Sequence, residues 1–270
     1  MKKITKLGCL LLITACVGLT GCKKNTIDDK TIIVGASASP HAEILRQCKD
    51  YIKENGYELE IKVYNDYIIP NQALDQEELD ANFFQHLPYL NEWNEKENTN
   101  LVSALAVHYE PLGFYAGKSN SLESIKNGAL IAVPNDTTNY ARSLLLLHDL
   151  GIITVDETKG INITISDVLA NPHKVNIKGF KAASIPAQLS EVDYAVINGN
   201  YALSANISKT KLLAAEDKDS LAATTYGNII AVKANNVEKH AIKLLVEALS
   251  QPTISEYITN SYDGYVLPLI

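Results

Sequence analysis

Between Thr31 and Tyr64 the chain reads strand, helix, strand, and that order commits it to a fold with parallel strands. Thr31-Ile32-Ile33-Val34-Gly35 is a short apolar run stopped by glycine, the pattern of a buried strand. From His41 to Asn55 the apolar positions are Ala42, Ile44, Leu45, Cys48, Tyr51 and Ile52, a helical period closed by Gly56. Leu59-Glu60-Ile61-Lys62-Val63-Tyr64 then alternates with the two-residue period of a strand. Parallel neighbours need a crossover between them, and a helix is the usual one. Further strands are expected at 129–133, 193–197 and 229–233, and helices at Asn139–Leu150 and Val237–Leu249, the latter stopped by Gln251-Pro252. Such alternation fits one doubly wound sheet or two smaller α/β lobes. Two extended segments, Tyr109–Gly117 and Tyr226–Ala234, are suited to leave one lobe and return to it. Paired crossings of that kind make a hinge, with ligands in the cleft between the lobes.

The first residues read as an address. Lys2, Lys3 and Lys6 precede an apolar stretch from Leu7 to Leu19, which is too short for a stable membrane span of about 20 residues but fits a signal peptide. It ends in Leu19-Thr20-Gly21-Cys22, which resembles a bacterial lipobox. Residues 1–21 are therefore expected to be removed, Cys22 to carry lipid, and the polar residues 23–30 to serve as a tether. Removal takes three lysines and no acids, leaving 21 basic against 31 acidic residues. That balance speaks against nucleic acid as a partner, and against an electrostatic hold on anionic lipid. Cys48 alone would remain unmodified, in an apolar helical pattern, so no internal disulfide is expected and a hydrophobic core must supply the stability.

Motifs of catalysis are missing from the sequence. There is no Gly-x-Ser-x-Gly, no glycine-rich phosphate loop and no Cys-x-x-Cys, and no nucleophile has a base near it. His41 and Glu43, two apart on a helix, point to different faces. His86 and His108 could be considered as a metal pair, but their spacing matches no helical or finger pattern and no metal or other cofactor is expected. Tyr64 and Tyr67, and Phe83, Phe84, His86 and Tyr89, instead gather aromatic rings with polar tips in what read as loops and strand ends. Such rings fill a core or wall a dry pocket that still offers hydrogen bonds.

Arg142 is the most informative residue. The run Asn135-Asp136-Thr137-Thr138-Asn139 offers several helix caps, which places Arg142 in the first or second turn, where the helix dipole disfavours a cation. Either it is solvated, or the helix start and the guanidinium together receive a carboxylate, with bidentate geometry available. Asn198, Asn200 and Asn228, beside strand ends, have side-chain carbonyls that could accept from an ammonium, although Asn is also an ordinary turn former.

Several blocks resemble the NlpA family of methionine-binding lipoproteins: Asp66-Tyr67-Ile68-Ile69-Pro70-Asn71, Asn82-Phe83-Phe84-Gln85-His86-Leu87-Pro88-Tyr89, Val133-Pro134-Asn135-Asp136, Ala141-Arg142-Ser143, Asn198-Gly199-Asn200-Tyr201 and Tyr226-Gly227-Asn228. The likeness runs in order from about Thr31 to Tyr262-Asp263-Gly264-Tyr265 near the end. It implies a type II periplasmic-binding-protein fold, with residues 31–110 and 230–270 in one α/β lobe and 111–229 in the other. It also implies capture of methionine for an ABC importer at the outer face of a membrane. By motif, Arg142 would hold the ligand carboxylate, Asn200 and Asn228, with Asn198, the ammonium, and Tyr67, Phe84, His86 and Tyr89 the side chain. A methionine-containing dipeptide or D-methionine is the alternative cargo, and a surface adhesin the alternative role. The chain departs from the family at Ser37-Ala38-Ser39 and Phe83, which bear on the pocket edge.

Overall fold

The computed structural model describes residues 30–218 and 225–270; the expected leader, Cys22 and nearly all of the tether lie outside them. Two mixed sheets are built, each faced by helices. The chain opens with β1 (Thr31–Ser37), whose Ile32, Val34 and Ala36 are fully buried. The helix expected as one piece from His41 to Asn55 is two, α1 (His41–Gln47) and α2 (Lys49–Glu54). They meet at Cys48, whose amide bonds Leu45 three residues back at 3.0 Å, a tightened turn that re-aims the second helix. The thiol is buried, and burial pushes its pKa up to about 12, consistent with a small core residue. β2 (Glu58–Tyr64) then lies parallel to β1 in continuous register from Thr31–Glu58 to Ser37–Tyr64.

After α3 (Ile69–Asp75), residues 81–86 form β3, parallel to β1 on its other side. All six residues of β3 are buried, although the segment reads as polar and aromatic. Its amides are satisfied by a closed network with α3. Asn71 donates to Gln85 at 2.9 Å, while Asn82 and Gln85 donate to Asn71 Oδ1 at 2.8 and 2.7 Å. Buried amides partnered in this way cost little, which is how an Asn- and Gln-bearing segment becomes an inner strand. α4 (Leu87–Glu97) follows, and β4 (Leu101–Tyr109) completes the first pass through this sheet.

The chain crosses at Glu110–Leu112 into the second sheet. β5 (Gly113–Ala116), β6 (Leu130–Pro134) and α5 (Thr137–Asp149) lead to a small antiparallel pair, β7 (Thr154–Val155) with β8 (Val168–Ala170). β9 (Asn176–Phe180), the short helix α6 (Ile185–Gln188), β10 (Tyr194–Ile197), α7 (Gly199–Ser204) and β11 (Leu212–Ala215) finish the lobe. The strand order is β11-β5-β10-β6-β9. Phe114, Ile131, Val133, Leu144, Leu147 and Tyr194 form the core on one face, while Ala132, Ile185, Ala195 and Ile197 lie in a core cluster on the other.

β12 (Gly227–Lys233) returns to the first sheet and inserts between β3 and β4, antiparallel to both. With β13 (Leu267–Pro268) the order there is β13-β4-β12-β3-β1-β2. Helices His240–Leu249 and Pro252–Ser261 close that core through Leu244, Leu245, Leu249, Ile254 and Ile258. The first of these begins three residues later than expected at Val237, after a 3-10 turn at Ala234–Asn236. No described helix is long and apolar enough to cross a membrane.

Candidate ligand site

The strand ends and helix starts of the two lobes face one another across a cleft, and all eight side chains singled out from the sequence line it. Phe84 reaches it through a bulge. In the pairing of β3 with β12, Ile229 faces Gln85 and Ile230 faces Phe83, which leaves Phe84 as the extra residue. A bulge re-aims the side chain it carries, and here it sends the ring to the cleft while Phe83 stays in the core. Tyr67, Phe84 and Tyr89 then stand with ring centroids 5.7 to 6.1 Å apart, and Tyr201, which sequence reasoning missed, adds a fourth ring 4.9 Å from Tyr67. Polar tips tie the rings down: Tyr67 Oη donates to Asn200 Oδ1 at 2.6 Å, and Tyr89 Oη to the Tyr67 carbonyl at 3.2 Å.

His86 caps α4, its Nδ1 accepting from the Tyr89 amide at 3.1 Å, so its proton sits on Nε2 and points to Asn139 Oδ1 at 3.3 Å. Burial, helped by the nearby Arg142 charge, lowers its pKa to about 3, so the ring is neutral at pH 7. Asn139, read from the sequence only as part of the helix start, also accepts from Asn198 Nδ2 at 2.9 Å and links the two lobes' polar groups. Asn228 Oδ1 contacts His41 Nε2 at 3.0 Å.

Arg142 lies in the second turn of α5 and is buried, 3% exposed, which excludes the solvated alternative. Both the helix start and one edge of the guanidinium already carry carboxylates of the protein itself. Asp136 caps α5 with its own carboxylate, accepting from the Asn139 amide at 3.0 Å. The guanidinium edge is filled by Glu216, which accepts from both Nε and Nη2. A second Nη2 bond goes to the Glu110 carbonyl at 2.8 Å, and the group stacks 4.4 Å over Tyr226. Burial alone would lower its pKa, but the Glu216 charge more than offsets this, and the arginine stays charged.

Glu110, likewise missed from the sequence, is a buried carboxylate on the cleft wall just beyond β4. Its Oε1 meets His108 Nε2 at 2.8 Å and His41 Nε2 at 3.5 Å. Among the described residues these three gather ligand atoms within 4.8 Å of one another. His86 is not paired with His108 as the sequence had raised. Hydrogen bonds account for most of this trio, since His41 Nδ1 also meets Ser37 Oγ at 2.6 Å. Burial lowers His41 to about 4 and His108 to about 3, and raises Glu110 above its ordinary value. A single position could have flagged Glu110: it is an acid set within an apolar, strand-forming run, where an unpaired charge is costly.

The sequence of the NlpA lipoprotein family matches this chain over residues 32–270. The methionine-binding lipoprotein MetQ of Bacillus subtilis (strain 168) is 39% identical over 278 aligned residues, spanning 100% of this chain and 99% of that protein. Among solved structures, a nutrient-binding protein from Burkholderia cenocepacia bound to methionine superposes with a TM-score of 0.83 at 38% identity, over 88% of this chain and 100% of the other. Lipoprotein Tp32 of Treponema pallidum gives 0.82 at 34%, over 89% and 99%. With two such lobes, one cleft between them and a family match across nearly all the described residues, the chain belongs to the NlpA lipoprotein family.

Proposed function

We propose that this protein is a lipid-anchored, extracytoplasmic substrate-binding protein that captures methionine and hands it to an ABC importer. The observation that carries the reading is the polarity of the cleft. Arg142 and Glu110 stand side by side, the guanidinium bonded to the Glu110 backbone, while Tyr67, Phe84 and Tyr89 form an aromatic pocket. Neighbouring buried charges of opposite sign suit an α-carboxylate and an α-ammonium, and the rings suit an unbranched, polarisable side chain such as a thioether. Arg142 takes the carboxylate. Glu110, with the second lone pairs of the Asn200 and Asn228 carbonyls, takes the ammonium, and Asn198 and His86 hold the polar wall. The lobes divide at the two crossings, after Glu110 and before β12. The burial of Arg142 favours binding and release over a surface adhesin.

Titration calorimetry with L-methionine, D-methionine and a methionine-containing dipeptide tests the reading, and failure of all three to bind would refute it. In Phe84→Ala the loss for methionine should be about 1–2 kcal/mol, roughly 5- to 30-fold, because ring–sulfur contact and pocket packing go together. Alanine, which does not reach the rings, should lose much less; equal losses would make the rings structural only.

The anchor has its own test. Cys22→Ala should leave the protein unprocessed or free of the membrane fraction, with ligand affinity intact. A processed variant that still sediments with membranes would exclude Cys22 as the lipid site.

A further inference from the structure

Arg142 sits between two claimants. Three of its five N–H groups are used inside the protein: Nε on Glu216 Oε1 at 2.6 Å, and Nη2 on Glu216 Oε2 and on the Glu110 carbonyl. Tyr109 also lies against the guanidinium, and the N–H groups beyond these three are what Arg142 can offer a cargo. The Glu216 side chain is nearly enclosed, 7% exposed, and is not held by Arg142 alone. Its Oε2 also accepts from Tyr109 Oη at 2.7 Å and from the Leu112 amide at 2.8 Å. Its own amide returns a bond to the Leu112 carbonyl at 3.0 Å. Glu216 therefore lies on the chain's return path between the lobes and is stapled to the first crossing.

We infer that Glu216 is the resident counter-charge of the cargo site: it keeps Arg142 paired when the cleft is empty and thereby limits how tightly a carboxylate cargo is held. The inference rests on the methionine reading given above. A buried guanidinium without a partner is strongly unfavourable, so an unliganded protein lacking Glu216 would gain disproportionately from any carboxylate that entered. With Glu216 present, an entering carboxylate meets a cation already neutralised and a like charge across the guanidinium. That moderates affinity, which suits a carrier that must release what it captures. The orientation of Arg142 does not depend on Glu216 alone, since the Glu110 carbonyl and the Tyr226 face also hold it.

The test is calorimetry of purified full-length wild type and Glu216→Gln with methionine and with methionine amide, together with thermal unfolding of both unliganded proteins. Glu216→Gln should bind methionine about 3- to 30-fold more tightly, with little change for the amide, as expected when one nearby like charge is removed. Its unliganded melting temperature should fall and recover on adding methionine. Should the glutamine variant fail to fold, Glu216→Asp, which keeps the charge but withdraws it by one methylene, should shift methionine affinity in the same direction by less. Unchanged or weaker methionine binding in the variant that folds would overturn the counter-charge role and leave Glu216 a purely structural staple. Wild type that bound no methionine would instead refute the cargo, and the fall in unliganded melting temperature would still report on the pairing with Arg142.

Discussion

Arg142→Ala should weaken methionine binding by roughly 30- to several-thousand-fold, the effect of about 2–5 kcal/mol that follows truncating one member of a buried charge pair. The upper part of that range is expected here because two carboxylates depend on the same guanidinium. Removing it leaves the cargo and Glu216 facing each other across a dry cleft with no cation between them. Methionine has about nine heavy atoms, and the ceiling near 1.5 kcal/mol per atom allows tight binding only if both charged ends are matched. Arg142→Lys should recover little, since one ammonium cannot replace a planar fork that serves Glu216 and the cargo at once. Adding Glu216→Gln to Arg142→Ala should restore part of the loss by removing the repulsion. Calorimetry against methionine and its amide checks this. If Arg142→Ala binds methionine like wild type, the carboxylate is held elsewhere and the cleft is wrongly assigned.

Acid should destabilise the fold well before ordinary carboxylates titrate. His41, His86 and His108 are buried and neutral, with pKa values lowered by burial to about 4, 3 and 3. In the unfolded chain each returns to about 6.5. Because the folded values are depressed, the stability that these rings contribute is present above pH 6.5 and drains as the pH falls through 6.5 toward 4, where only the unfolded chain takes up the protons. By pH 5 the linkage amounts to about 2 kcal/mol per imidazole, or up to roughly 6 kcal/mol for three. Glu110 works the other way. Burial holds its carboxyl above the ordinary range, so the folded protein takes up that proton first and recovers part of the loss. A net drop of several kcal/mol is a large share of a typical domain's 5–15 kcal/mol. Urea unfolding at pH 7.5 and pH 5 reads it directly, and a midpoint that does not move would mean that these rings are charged or solvated in the native protein.

What could be read from the sequence follows from what each residue must do. β1, α1 and β2 were plain because apolar periodicity alone fixes them, and the helix bearing Arg142 was plain because Asp136 and the leucines at 144–147 mark its cap and its body. β3 was obscured. Asn82 and Gln85 read as loop residues until Asn71, from a different element, is seen to satisfy them. The cleft residues were found largely through motif likeness, not periodicity, since a pocket is assembled from strand ends far apart in the chain. Glu110 and Glu216 escaped for a related reason. An acid becomes informative only once its burial is known, and one-dimensional spacing does not carry that. Arg142 was noticed for sitting against the helix dipole, but which carboxylate it already holds depends on the return crossing some seventy positions later.

β12 fills the gap between β3 and β4, yet the whole second lobe precedes it in the chain. A polypeptide that emerges N-terminus first therefore presents β3 and β4 with bare hydrogen-bonding edges until Lys233 is out. By then every strand from Gly113 to Ala215 is already available to pair. The lobe in the middle of the sequence can close first, and the lobe holding both ends of the described fold must wait with sticky edges, the stretch of synthesis in which such a chain is most prone to associate with another copy of itself.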